Sequence, residues 1–191
     1  MIENCRTLQE CEEVLSKKIK DVNYIGEIEL SKNDIAVLET LLCTYLEQID
    51  QESVTLFLRN CIPVATAVYF VYQGVINYVS GNYWSLISEN LDIKDPSKQV
   101  QWGSWMLDFI KERNLAQVNT ERTYHYVTPI LVHGGIPQSL LRSFYDKIVI
   151  PLVKMKLMED EKIRDFLHSY RVWEQERRKY KKQIEQFNMM K

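Results

Sequence analysis

The chain has few of the residues that break or staple a fold. Six glycines and five prolines in 191 residues leave little material for tight turns, which argues against a β-sandwich with its many short strands and for long elements. The four cysteines, at positions 5, 11, 43 and 61, form no C-x-x-C pair, and none stands at zinc-finger spacing from a histidine. They read as small apolar side chains of the interior, kept reduced, and the expected location is cytoplasmic. His125, His133 and His168 never fall three or four residues from one another, so no metal and no cofactor are expected.

Long hydrophobic runs are missing too. The longest apolar stretch, residues 61–79, is interrupted by Pro63, Thr66, Gln73 and Asn77, too polar to cross the roughly 30 Å of a bilayer's hydrocarbon. No membrane span is expected. The first fifteen residues contain Glu3, Glu10, Glu12 and Glu13 and lack the basic start and apolar run of a targeting leader. There is no G-x-S-x-G elbow, no repeat of 20 to 50 residues and no low-complexity linker.

What is present has helical periodicity. Apolar residues at 46% and charged residues at 26% are ordinary for a chain that buries a core. A first helix is predicted over about residues 3–19 with the stripe Leu8, Cys11, Leu15 and Ile19, followed by a connector over 21–30 with room for a short extended piece. Ser31 and Asp34 make a capping-box-like start, and Ile35, Leu38, Leu42, Tyr45, Leu46 and Ile49 give the next apolar face. Ser53 is the expected cap of a further helix, which Pro63 ends or kinks. Beyond Pro63 the run 64–79 is apolar on all sides, and its length predicts a helix at the centre of a bundle.

Gly81 and Asn82 mark a turn before Trp84, Ile87 and Leu91. Asp95-Pro96 then opens a helix with the face Trp102, Trp105, Met106, Phe109 and Ile110, ending near Asn114. Residues 115–128 are least determined, and Tyr124 to Val127 are compatible with a short strand. Thr128-Pro129 would cap a single helical turn through Val132. The group His133, Gly134, Gly135 and Pro137 has the composition of a tight corner, since glycine tolerates positive φ and proline fixes the next start. The following face is Leu140, Leu141, Phe144, Tyr145 and Ile148, with Pro151 kinking or dividing what comes after.

The last segment carries a heptad stripe of Ile163, Phe166, Tyr170, Trp173, Arg177, Tyr180, Ile184 and Phe187, which predicts a long amphipathic helix. The expected fold is therefore all-α: a bundle of about six to eight helices in a core domain over 1–158, then a helical arm over 159–191. The stripe runs into the final residues, and the expectation is an N-terminal domain that continues into a larger protein.

The net charge of -2 conceals an uneven distribution, because residues 1–53 carry -7 and residues 171–191 carry +4. Such asymmetry fits two surfaces with different partners, or solvated helix faces. Three functional readings follow. The favoured one is a non-catalytic interaction or scaffolding module whose surface is Phe166, Tyr170, Trp173, Tyr180, Ile184 and Phe187, binding a protein partner or a second copy as a homodimer. The second is nucleic-acid binding through Arg171, Arg177, Arg178, Lys179, Lys181 and Lys182. The third is an enzyme assembled around His125 and His133. His133-Gly134-Gly135 has the make-up of an esterase oxyanion loop, but the nucleophile elbow that would accompany it is missing.

Overall fold

In the computed structural model the protein is described over residues 1–77, 87, 96–117, 128–135, 138–156, 159, 161–163 and 165–167. Among these residues are eight α-helices and no strand. The chain forms two compact units, Met1–Leu140 and Leu141–Lys191.

The first helix, α1, covers Leu8–Lys18, and its start is set by Thr7, whose hydroxyl accepts the Glu10 amide at 3.2 Å. Helix was expected from residue 3. The difference lies in Asp34, whose Oδ1 takes the amino group of Met1 (2.7 Å) and the amides of Ile2 and Glu3 (3.0 Å for the latter). Those donors point at one carboxylate oxygen, so the first residues fold away from a helix and Ile2 is fully buried. From Leu8 onward the expected stripe holds, with Leu8, Cys11, Leu15 and Ile19 all buried.

The connector contains two 3-10 turns, Ile19–Asp21 and Ile25–Glu27, rather than an extended piece. Helix α2, Lys32–Leu46, begins as expected: Ser31 Oγ accepts the Asp34 amide (3.1 Å) while Asp34 Oδ2 accepts the Ser31 amide (2.9 Å). This is the reciprocal pairing of a capping box. Helix α3 is Gln51–Asn60, capped by Asp50 and not by Ser53; the serine supplies the amide that Asp50 accepts at 2.9 Å. An aspartate outcompetes the serine because the N-cap must precede the first turn, and its charge favours the helix's positive end.

Pro63 ends α3 and opens α4, Pro63–Asn77, with a bend of 100° between the two helices. A proline at the first helical position loses no hydrogen bond, since that N–H has no intrahelical partner. Val64, Ala65, Ala67, Val68, Tyr69, Phe70 and Val71 are all buried, and α4 packs against α1, α2, α3 and the turn Ile25–Glu27. The run that is apolar on all sides is thus the central helix of the first unit, as its pattern requires.

Ile87 is buried in this core; Gly81, Asn82, Trp84, Leu91 and Tyr124 to Val127 lie outside the described residues. Helix α5, Pro96–Glu112, buries Trp102, Met106, Phe109 and Ile110, and ends through Asn114 at φ 55 with the Leu115 amide returning to the Ile110 carbonyl at 3.0 Å. That is a Schellman closure with asparagine in the left-handed position. Helix α6, Thr128–Gly134, packs on α4 and α5. It runs two residues past Val132, so Gly134 is its last residue and Gly135, at φ 83, is the stop.

Helix α7, Gln138–Phe144, begins in the last residues of the first unit, and in the second unit it is followed by a π-turn, Tyr145–Val149, and then α8, Ile150–Lys154. Pro151 explains the π-turn. It has no N–H to offer and its ring crowds the carbonyl four residues back, and the ladder widens just before it, with Ile150 N–H reaching Tyr145 O. Residues 161–163 and 165–167 are helical. The remainder of the expected C-terminal helix lies outside the described residues.

Among the described residues, no single helix is long and apolar enough to cross a membrane.

Candidate functional site

Among the described residues of the first unit, three carboxylate and imidazole groups are buried, and each is spent on backbone. Glu12 reaches from α1 to the first turn of α4, where its oxygens accept the amides of Val64 (3.1 Å) and Ala65 (2.7 Å), with Ser16 Oγ donating at 3.3 Å. It acts as an N-cap supplied from another helix. Burial pushes its pKa up, and the three hydrogen bonds pull the other way. Asp34 shows the opposite balance. Burial alone would raise its pKa, but the Met1 ammonium, the Ser31 amide and hydroxyl and the Ile2 amide together hold it well below the usual carboxylate range.

His133 is the third. Ile25 N–H donates to Nδ1 (3.4 Å) and Nε2–H donates to the Ala116 carbonyl (3.0 Å), a pairing that assigns the neutral Nε2–H tautomer. Burial lowers its pKa, and the Ala116 hydrogen bond and the charge of Glu27 oppose that. The Tyr24 ring lies 5.5 Å away. Ala116 N–H donates in turn to Asn23 O at 2.9 Å. Gly26 lets these segments close, because a Cβ there would meet His133 O at 2.8 Å and Gly134 O at 3.2 Å. Gly134 faces α4, where its own Cβ would stand 2.8 Å from a Val75 methyl. The corner residues His133, Gly134 and Gly135 therefore tie three stretches of chain together; Pro137, like His125, lies outside the described residues. With both nitrogens engaged by backbone, the His133 imidazole has neither a free lone pair nor a free proton for chemistry.

The cysteines carry no nucleophile signature. Burial, with Cys5 beside it, pushes the Cys11 thiol up to about 12, far above the range of reactive thiols. Cys61 stands exposed at the end of α3 and Cys5 and Cys43 are half-buried, so only Cys11 fits the expectation of four interior cysteines. Among the described residues no group of three or more His, Cys, Asp or Glu side chains converges to hold a metal.

Two surfaces remain. A cleft of about 280 Å³ lies between the start of α1, the end of α2 and α3, floored by Leu8, Leu41, Phe57 and Ile62 and rimmed by Arg6, Thr7, Gln9, Thr44, Tyr45 and Gln48. Tyr45, expected on the α2 core face, is exposed there and stacks on Phe57 at 4.4 Å. In the second unit, Leu141, Phe144 and Tyr145 of the expected core face are exposed, and apolar residues beyond that face are exposed too. Leu141, Tyr145, Val153 and Met155 are each more than half exposed, Phe144 and Leu167 are exposed as well, and Ile148 is buried.

Of the residues marked on the heptad stripe, Ile163 and Phe166 are half-buried. Tyr170, Trp173, Tyr180, Ile184 and Phe187 lie outside the described residues, as do the basic residues Arg171, Arg177, Arg178, Lys179, Lys181 and Lys182. Sequence reasoning passed over Glu12, Arg59 and the use of Asp34 on the first three residues. Glu12 gave one faint signal, an acidic residue adjoining the apolar stripe at Cys11; Arg59 gave none. In comparisons with protein-family models, with curated proteins and with solved structures, nothing matches this chain.

Proposed function

We propose that this chain is a non-catalytic helical interaction module, working in the cytoplasm, that associates through its C-terminal amphipathic segment with the same segment of a second copy. One observation carries the reading. Leu141, Phe144, Tyr145 and Val153 stand exposed along the helical run 138–154, and Met155 in the turn that ends it. Large apolar side chains left exposed along one stretch of helix fit a surface that a partner covers. In the sequence the heptad stripe follows, with Phe166, Tyr170, Trp173, Tyr180, Ile184 and Phe187 at coiled-coil spacing, Arg177 on the same stripe and the other cations off it.

Sedimentation velocity of the full chain over a concentration series tests it. Self-association is expected, and it should persist as salt is raised. Trp173→Ala combined with Tyr180→Ala should dissociate the complex, since truncating a buried aromatic costs about 3–5 kcal/mol. A monomer at every concentration refutes the reading. Nucleic-acid binding through Arg171, Arg177, Arg178, Lys179, Lys181 and Lys182 makes the contrary forecast, an affinity for polyanions that falls steeply with salt.

A further inference from the structure

We propose that the first unit holds a binding site for a monocarboxylate, anchored by the guanidinium of Arg59. The side chain leaves the last turn of α3 and lays its guanidinium over the Trp102 ring of α5, 4.5 Å from the ring centre. Trp102 is itself buried and sits edge-on to Phe70 (5.0 Å) and Trp105 (5.3 Å). The face of the cation is thus satisfied by an aromatic. Its edge is not. Nε and Nη2 are out of contact with solvent and have no hydrogen-bond partner among the described residues.

These two nitrogens form the side-on fork of the guanidinium, two parallel N–H donors at the spacing of the two oxygens of one carboxylate. Burial lowers the pKa of Arg59, yet a guanidinium keeps its proton in any protein interior. Two charged N–H donors withdrawn from solvent without an acceptor among the described residues are a costly arrangement for a fold to hold. The rest of the unit shows how consistently such groups are answered: Glu12 by two amides, Asp34 by an ammonium and three amides, His133 at both nitrogens. Arg59 stands apart from that pattern, and an acceptor from outside the chain completes it.

Charge selects the acceptor's class. A carboxylate brings one negative charge and neutralises the guanidinium, whereas a phosphate carries close to two and would leave one uncompensated beside Trp102, Phe70 and Trp105. Because the fork is out of contact with solvent, entry requires a local opening, so association is slower than diffusion alone allows.

The test uses the full chain with sodium acetate as probe, against sodium chloride and sodium phosphate at matched ionic strength, in wild type, Arg59→Met and Arg59→Lys. Thermal denaturation and a tryptophan-fluorescence titration are read in parallel. Acetate is expected to raise Tm saturably by several degrees beyond chloride in wild type, to change the fluorescence over the same range, and to do neither in Arg59→Met. Arg59→Lys keeps the charge without the fork and should lose most of the effect; it also serves as the comparison if the methionine variant does not fold. An equal acetate shift in wild type and variants marks a general salt effect and overturns the proposal. So does the absence of any shift beyond chloride, whichever way Arg59→Met moves stability. A larger Arg59-dependent shift with phosphate overturns the assignment to a monocarboxylate.

Discussion

Replacing Glu12 by alanine removes the acceptor from the first turn of α4, the helix around which the first unit is built. Val64 N–H, now 3.1 Å from one carboxylate oxygen, and Ala65 N–H, 2.7 Å from the other, would be left buried without partners. Each orphaned donor costs about 1–3 kcal/mol. Part of that is offset, because the variant no longer has to bury a carboxylate whose pKa is pushed up by burial. The net expectation is a loss of about 2–4 kcal/mol, the upper part of the range for losing an N-cap and somewhat beyond it. In a chain of this length that lowers Tm by roughly 5–15 °C. Urea denaturation followed by tryptophan fluorescence measures it, with buried Trp102 among the reporters. Glu12→Gln keeps one oxygen acceptor and should lose about half as much. The sign of the pH effect is fixed by the raised pKa: the proton-linked part of what Glu12 contributes is fully present below its ordinary value of 4.5 and is lost as pH rises through the higher folded value. The advantage of wild type over the glutamine variant should therefore shrink as pH rises from the acid side. If Glu12→Ala stays within about 0.5 kcal/mol of wild type, the cross-helix cap is not a source of stability and the reasoning fails.

His133, whose pKa is lowered by burial, contributes stability that is present above the ordinary value of 6.5 and lost as pH falls below it. Wild type should lose stability between neutral pH and pH values below that, and His133→Asn should be weaker at neutral pH but flat over the same interval; parallel profiles for the two proteins would count against a buried neutral imidazole. Gly26→Ala sets a Cβ 2.8 Å from the His133 carbonyl oxygen, a backbone atom that cannot swing aside, and should cost about 1–3 kcal/mol by chemical denaturation. Gly135→Ala meets nothing within 4 Å and has only its φ of +83 against it, so it should cost about 1 kcal/mol; the reverse order of the two would contradict the close approach at Gly26.

Helix positions were legible where one local signal was decisive. The Ser31–Asp34 pairing, the proline at 63 and the apolar stripe of α5 each act within a few residues, and the structure follows them. The start of α1 was not legible, because the amides of residues 2 and 3 are drawn off by a carboxylate more than thirty positions away. Leu141, Phe144 and Tyr145 have the spacing of a core face, and spacing records only that the residues share a side of a helix. Whether anything covers that side is a property of the whole fold.

The same division runs through the polar groups. His133 and its glycines could be read as a corner from composition, but not as the point where Ile25 and Ala116 meet. Nothing in the sequence around Arg59 marks it as a residue whose Nε and Nη2 are withdrawn from solvent.

By itself, then, the sequence determined the mostly helical character of the described residues, the central place of the run after Pro63, and the main starts and stops, because periodicity, capping and proline geometry are short-range physics. Only the tertiary structure decided which polar side chains are buried and what answers them: Glu12 under α4, Asp34 on the first three residues, His133 between two backbones, and Arg59 over Trp102 with its fork open. Those pairings join residues far apart in the chain, and desolvation depends on everything packed around a group rather than on its neighbours in sequence.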